Sequence, residues 1–314
     1  MKVAITGAAG YIGRKVVERL DENDACEKIL GISRREFTHR FKKLDYHPMD
    51  VRSPRLKELF REYGIDAVIH LAFVVNPIHN EQEMHSIDIE GTKNVLDAAA
   101  YAGVKRIIVT SSTMVYGAWP DNPPLLTEES LRRGHRKYYY NRDKVSIEKM
   151  CEKFRDEHPD ISLVILRPCL VMGPTVNHFY SHLLNWPVLP LVDGKNPPLQ
   201  FVHEDDVAKA YELFLMNSAE GTYNIVGKET ITWKEIIERA GKRAVRIPGF
   251  VLRPLLGMLW KLHLTEFPPE ILDFITYPWV ASGEKAEKEE GFSPQYSTEE
   301  VLEDFLAAVK MQKQ

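Results

Sequence analysis

"KVAITGAAGYIGRKVVERLDE", residues 2–22, joins a short apolar run to a glycine turn and then to apolar residues at helical spacing. "KVAIT" (2–6) reads as a buried strand, "TGAAGYIG" (6–13) as the turn, and "YIGRKVVERLDE" (11–22) as a helix. Gly7, Gly10 and Gly13 have the spacing G-x-x-G-x-x-G, with Tyr11 and Ile12 between the last two. Between a strand and a helix, such glycines let the backbone approach a pyrophosphate at the helix N-terminus. Free N–H groups and the macrodipole favour negative charge there, so the stretch predicts a dinucleotide site.

Outward from this stretch the same alternation continues. "KILGIS" (28–33) reads as a second strand, and "RLKELFREYG" (55–64) as a helix ending in Gly64. "DAVIHLAF" (66–73) is a further strand, "EGTKNVLDAAAYAG" (90–103) a helix closed by Gly103, and "RIIVTSS" (106–112) another strand. "SLVILRP" (162–168) is one more. Near-continuous apolar strands alternating with helices predict an α/β fold, a Rossmann-type doubly wound parallel sheet. After Pro168 prolines and aromatics become denser and the rhythm weakens. The expected organisation is a dinucleotide-binding domain over 1–168 and a smaller C-terminal substrate lobe over most of 169–314. Residues 199–226 are expected to return to the first domain, with "LQFVHEDDVAKAYELFL" (199–215) rejoining the main sheet.

The 314 residues are 44% apolar and 27% charged, ordinary for a globular chain, and the net charge is −4. That balance gives no footprint for a nucleic-acid partner. Cys26, Cys151 and Cys169 are few, odd in number and scattered, which argues against a disulfide framework or a zinc site. "MKVAITG" leaves no room for a signal peptide. "IPGFVLRPLLGMLWKLHL" (247–264) is interrupted by Arg253, Lys261 and His263 and is too short for a membrane span. A cytoplasmic protein with no membrane partner is expected.

Two details bear on the cofactor and the chemistry. The second strand ends "GISRR", with Ser33, Arg34 and Arg35 where an NAD site would carry an acid for the ribose hydroxyls. Arginine suits a 2′-phosphate, so NADP is the first choice and NAD the second; the alternative is that both arginines face solvent. In "YYYNRDK" (138–144) only Tyr140 has a lysine at i+4, Lys144. The same spacing recurs at Tyr101 and Lys105, but those straddle Gly103 just before a strand and should not share a helical face.

Taken together, "TGAAGYIG", Asp50-Val51, "HLA" (70–72), "GTKNVLDAA" (91–99), "SSTMVYG" (111–117), Tyr140 with Lys144, "LRP" (166–168) and "FVHEDDVA" (201–208) occur in one order. In that order the chain resembles the extended short-chain dehydrogenase/reductase family, the epimerase/dehydratase type. The resemblance implies that Asp50 binds the adenine amino group with Val51 alongside the ring, and that Leu71 and Ala72 line the cofactor. It implies Ser112 as the hydrogen-bond partner of the substrate oxygen and Tyr140 as general acid/base. Lys144 would bind the nicotinamide ribose and tune Tyr140, and Pro168 would touch the nicotinamide. A homodimer through a helix bundle including the Tyr140 helix is also implied. A free tyrosine titrates near ~10, and a neighbouring ammonium is expected to lower that value.

Departures from the family pattern narrow the reaction. The Asp-Glu pair of the dehydratases is replaced by Thr113 and Met114, and the usual asparagine before Gly91-Thr92 by Asp88. "LRPCLVMGP" places Cys169 and Leu170 where nucleotide-sugar epimerases carry polar partners; Asn177, His178 and Tyr180 could supply contacts instead. "RRGHRK" (132–137) could meet an anionic substrate group or be a solvated face. The apolar stretch 247–279 could be a lid over the pocket or core and dimer packing. His203 to Asp206 reads as a helix cap rather than a metal site. The expected function is an NAD(P)-dependent oxidoreductase acting on a small-molecule secondary alcohol or ketone. A nucleotide-sugar epimerase with tightly bound NAD is the alternative, and a non-catalytic NAD(P)-sensing protein is the alternative of another class.

Overall fold

The computed structural model describes residues 1–311 except 136 and 218, so the Arg136 of the basic run lies outside the described residues. Seven strands form the central sheet: β1 (Lys2–Thr6), β2 (Lys28–Ser33), β3 (Leu44–Pro48), β4 (Ala67–His70), β5 (Arg106–Thr110), β6 (Ser162–Pro168) and β7 (Gly221–Ile225). Their order is β7-β6-β5-β4-β1-β2-β3, and every pairing is parallel. The order reverses between β1 and β4, and a ligand crevice opens there at the strand C-termini.

Helices cover both faces, which is why the central strands are apolar throughout. On one face lie α1 (Tyr11–Glu22), through Val16, Val17 and Leu20, and later Val207 and Phe214 of a helix Glu204–Met216. On the other lie α2 (Leu56–Tyr63), α3 (Gly91–Ala102) and α4 (Tyr139–Glu157), through Phe60, Val95, Leu96, Ile147 and Cys151. We number the helix Glu204–Met216 α5.

Three expectations change in detail. The strand within 199–215, Phe201–His203, pairs with Leu170–Met172 outside the main sheet. It leads directly into α5, which packs beside α1, and the strand that joins the sheet is β7, residues 221–225. The strands expected at 66–73 and 106–112 stop at His70 and Thr110, because both chains must leave the sheet to form the mouth of the crevice. Sequence pattern missed β3, "LDYHP", because an edge strand with half-exposed Asp45, Tyr46 and His47 needs no apolar run.

Candidate active site

The glycine turn is built to tolerances that no side chain meets. Gly7 has a φ of +74°, and a Cβ on it would stand 2.7 Å from the Leu71 carbonyl and 2.8 Å from the Ala72 nitrogen. A Cβ on Gly13 would lie 2.1 Å from the Gly7 oxygen. Gly10 caps α1 in extended conformation and donates to the Gly7 oxygen at 2.8 Å; no side chain satisfies the first turn, and no acid sits in it. This is a narrow cradle of free backbone N–H groups between β1 and the Leu71–Ala72 segment, and it fits a dinucleotide pyrophosphate. Ile12 packs into the core. Tyr11 points away from the cradle: its hydroxyl donates to Glu204 at 2.5 Å, tying α1 to α5, so only its backbone faces the site.

On the far side of the cradle from β5, Ser33 ends β2 and its carbonyl accepts from Met49 N–H at 3.0 Å. The half-exposed Arg34 guanidinium lies 3.9 Å from Asp50. Asp50 accepts from Arg52 Nε at 3.0 Å and Nη2 at 2.8 Å, and this Arg52 contact holds its carboxyl below the usual range. Val51 is buried against α3, where a Cβ on Gly91 would come within 2.7 Å of its Cγ2. The glycine of "EGT" is therefore what lets α3 close over Val51.

At the other end, β5 delivers Ser112, whose Oγ accepts from Met114 N–H at 3.2 Å and lies 3.4 Å from the Pro168 carbonyl oxygen. Tyr140 lies in the first turn of α4, buried, and the Ser112 hydroxyl bonds its phenol in the sense that favours ionisation. Burial, and then the Asp88 charge, nevertheless push the Tyr140 phenol above its ordinary value. Lys144 is 1% exposed; its Nζ donates to the Thr110 carbonyl at 2.7 Å and lies 5.8 Å from the centroid of the Tyr140 ring. Burial pushes the Lys144 ammonium down, and Asp88 opposes that shift.

Several neighbours of this cluster had no signal in the sequence. The Phe73 ring covers the Lys144 ammonium, whose Nζ is 3.1 Å from the ring centroid, a cation–π contact. Asp88 sits in a π-helical turn, Ser86–Glu90; its Oδ1 accepts from Val74 N–H at 2.9 Å, while its buried Oδ2 finds no partner among the described residues. Burial raises the Asp88 carboxyl, and the Lys144 charge offsets part of that. Asp143, fully buried, meets the half-exposed His85 at 2.9 Å. A π-turn at a site is a common way to aim one side chain inward.

His70, the first residue of "HLA", stitches three elements: its Nδ1 lies 2.6 Å from Thr6 Oγ1 and its Nε2 lies 3.0 Å from Thr92 Oγ1. Thr92 donates its own proton to the Asp88 carbonyl, so it accepts from His70, which fixes a neutral ring protonated at Nε2. Burial, then Lys144, push His70 down to about 3. Below the crevice Ser111 and Arg167 bond to buried Glu148, Arg167 at 2.6 and 2.8 Å.

Other candidates fall elsewhere. Tyr101 is exposed on α3, its hydroxyl accepting from Arg61 at 2.7 Å, and Lys105 lies beyond the Gly103 turn, at the opposite end of the sheet from the crevice. The basic run is paired within the fold: Arg132 with Glu148 and Glu152, Arg133 with Asp121, His135 with Asp273. His203 caps α5, accepting from Asp205 N–H at 3.2 Å, and among the described residues no three His, Cys, Asp or Glu are grouped to hold a metal. His178 caps a short helix through its Nδ1 and its Nε2 meets the Val171 carbonyl at 2.9 Å, and Asn177 meets His182 at 2.8 Å.

Residues 3–226 match the NAD dependent epimerase/dehydratase family. The chain belongs to that family. It is an enzyme of the extended short-chain dehydrogenase/reductase type, with the epimerase/dehydratase fold. An uncharacterized protein of Mycobacterium tuberculosis is 26% identical over 311 residues, 97% of this chain and 83% of that protein. UDP-glucose 4-epimerase 2 of Arabidopsis thaliana is 30% identical over 180 residues, 52% of this chain and 50% of that protein. Among solved structures, UDP-glucuronic acid 4-epimerase from Bacillus cereus in complex with NAD aligns over 100% of both chains, with TM-score 0.77 and 21% identity. dTDP-glucose 4,6-dehydratase from Bacillus anthracis, also with NAD, aligns over 100% of this chain and 97% of that one, with TM-score 0.77 and 16% identity. Among the described residues no helix is long and apolar enough to cross a membrane.

Proposed function

We propose that this family member moves hydride between NADP, or NAD in second place, and a secondary alcohol or ketone, with Tyr140 as general acid/base. The observation that carries the proposal is the convergence of Ser112, Tyr140 and Lys144 at the C-terminal end of β5, beside the glycine cradle. A bound nicotinamide dinucleotide supplies the hydride acceptor or donor. Everything else falls to the chain. Ser112 Oγ and Tyr140 Oη together bond the substrate oxygen. Tyr140 takes the hydroxyl proton as a carbonyl forms, or returns it in the opposite direction. Lys144, held by Thr110 and Phe73, places its ammonium beside the phenol and the ribose position. The walls of the crevice exclude water around the proton transfer. Leu71, Ala72 and Pro168 line it, and the chain beyond residue 168, apart from α5 and β7, forms the substrate side.

NADP is favoured because no carboxylate ends β2, because Asp50 is already committed to Arg52, and because the half-exposed Arg34 guanidinium has only a 3.9 Å contact to leave. Arg34→Ala should weaken NADPH binding roughly 10- to 100-fold, the loss of charge-assisted bonds, and leave NADH binding unchanged. Equal losses for both would assign Arg34 no role in the choice. Tyr140→Phe should bind cofactor normally and lose turnover by about 10²- to 10⁴-fold, which would dispose of the non-catalytic sensor; retained turnover would sink the catalytic assignment of Tyr140.

A second reading is favoured by the solved relatives, several of which hold NAD with UDP-sugars: a nucleotide-sugar epimerase that keeps its cofactor through the cycle. Cofactor content after purification separates the two. Retained NAD supports the epimerase; an empty site preferring NADPH supports net redox. The three cysteines, all free and buried, suit the reducing cytoplasm. We further propose a homodimer through α3 and α4, which sedimentation would detect.

A further inference from the structure

One helix of the C-terminal lobe leaves an apolar face uncovered. α6 (Gly249–Lys261) is apolar apart from Arg253 and Lys261, with a proline inside it. Leu256 is buried, and Leu252, Leu259 and Trp260 are half-buried on the inward side. The outward side carries Phe250 at 81% exposure, Val251, Leu255 and Met258, continued by Leu262 and Leu264 just past the helix end. At 100° per residue, positions 250, 251, 254, 255, 258 and 262 fall on one stripe, so the exposure is a single face rather than scattered residues. Met258 and Leu262, with Pro254, Gly257 and Lys261, also line an open hollow of about 530 Å³.

The charges around the face point to what covers it. From Arg239 to Thr265 the chain contains no Asp or Glu, while carrying Arg239, Lys242, Arg243, Arg246, Arg253 and Lys261, in a protein of net charge −4. Arg239 pairs with Glu299 and Glu303, and Arg253 with Asp273. Lys242, Arg243, Arg246 and Lys261 make no ion pair among the described residues. The acids that flank the helix are engaged elsewhere: Asp193 accepts from the Gly249 N–H at 2.8 Å, Asp273 holds Arg253, and Glu266 lies 3.0 Å from His182. An apolar helix face carried by a segment with four unpaired cations fits the boundary between the acyl chains and anionic headgroups of a bilayer, and thirteen residues suit a helix that lies on it rather than crosses it.

We infer that α6 and the basic segment leading into it form a peripheral docking surface for anionic membrane. The surface is coupled to the crevice. Arg253 reaches Asp273, which also holds His135 at 3.1 Å. Phe274 meets the Tyr138 ring at 6.3 Å, and Trp260 stacks on His79 of the segment after β4. Val75 and Ile78 of that segment are themselves exposed, so docking presents the mouth of the crevice to the lipid surface.

The test uses the full chain and two vesicle types, phosphatidylcholine alone and phosphatidylcholine with about one third phosphatidylglycerol. Co-sedimentation with the mixed vesicles only, weakening as salt rises, is the expected result. Leu255→Glu combined with Met258→Glu should abolish it with an unchanged melting temperature, since both side chains are exposed. Lys242→Gln with Arg243→Gln should weaken it by about fivefold per charge removed. Equal binding to both vesicle types, no binding to either, or undiminished binding by the Glu variant would each overturn the inference. So would concentration-dependent self-association that the Glu variant dissolves in the absence of lipid, because it would give the face to a second copy of the chain.

Discussion

Gly13→Ala tests the cradle most directly, because the structure fixes how much must move. The added Cβ would sit 2.1 Å from the Gly7 oxygen and 2.9 Å from Ala8 backbone atoms. An ordinary contact begins at 3.4 Å, so α1 and the turn must separate by on the order of 1 Å, and both partners are backbone that no rotamer change can relieve. The turn is itself held by Gly7 N–H on the Ile32 carbonyl at 2.7 Å, so the shift strains β2 as well. Overpacking of this kind costs about 1–3 kcal/mol, a fall of a few degrees in melting temperature for a chain of this size. Cofactor affinity should suffer more, by about 10²-fold, because the N–H groups that meet the pyrophosphate are the ones displaced. Gly103→Ala is the control. Its φ of +72° makes alanine strained by about 1 kcal/mol, yet its Cβ would meet nothing within 4 Å and the site is at the other end of the sheet. Melting curves and fluorescence titration with NADPH and NADH read both quantities. The reasoning fails if Gly13→Ala binds cofactor like the native chain, or if Gly103→Ala loses affinity to the same extent.

Two further predictions concern buried titratable groups. Asp88→Asn keeps an acceptor for Val74 N–H and removes a charge that raises the Tyr140 phenol, so the rising limb of the pH–rate profile for alcohol oxidation should move down by on the order of 1 unit; an upward shift, or none, would disprove the coupling. His70 is held neutral, its ring pushed from 6.5 down to about 3. A depressed folded value means that its contribution is complete above 6.5 and is lost as pH falls toward 3, at up to about 1.4 kcal/mol per pH unit. Urea unfolding at several pH values should show that slope below 6.5 and its reduction in His70→Gln; an unchanged slope in the variant would remove His70 as its source.

The sheet and the glycine cradle were legible because each rests on local pattern: β-branched runs for β1, β2, β5 and β6, and three glycines at a strand–helix junction. The edge strand β3 was not, since half-exposed Asp45 and His47 need no hydrophobic period. Nor was the second role of the "HLA" and "GTK" motifs. His70 and Thr92 are 22 positions apart, and only the pairing of β1 with β4 and the fit of α3 against them bring Thr6, His70 and Thr92 together. The basic run 132–137 illustrates the converse case. In sequence its charges could meet an anionic substrate or be a solvated face; in the fold Glu148, Glu152, Asp121 and Asp273 reach Arg132, Arg133 and His135 from distant segments. Charge partners separated by the chain carry no linear signal.

The same non-local placement governs the acid/base chemistry. Two acids, Asp88 and Asp143, surround Lys144 and Tyr140, and both act on Lys144 in the direction of keeping its proton. Asp88 also acts on Tyr140 in the direction of keeping its proton. Burial pushes the Lys144 ammonium down and the Asp88 carboxyl up, and each of the two favours the charged form of the other, while the Tyr140 phenol is held protonated. Of the groups that act on the phenol, Ser112 favours ionisation, and burial and Asp88 oppose it. An asparagine at 88 would take away a charge that opposes ionisation of the phenol, and with it one that helps Lys144 keep its proton. On this argument the identity of residue 88 sets how readily Tyr140 ionises, which is why Asp88→Asn should shift the pH profile rather than merely scale the rate.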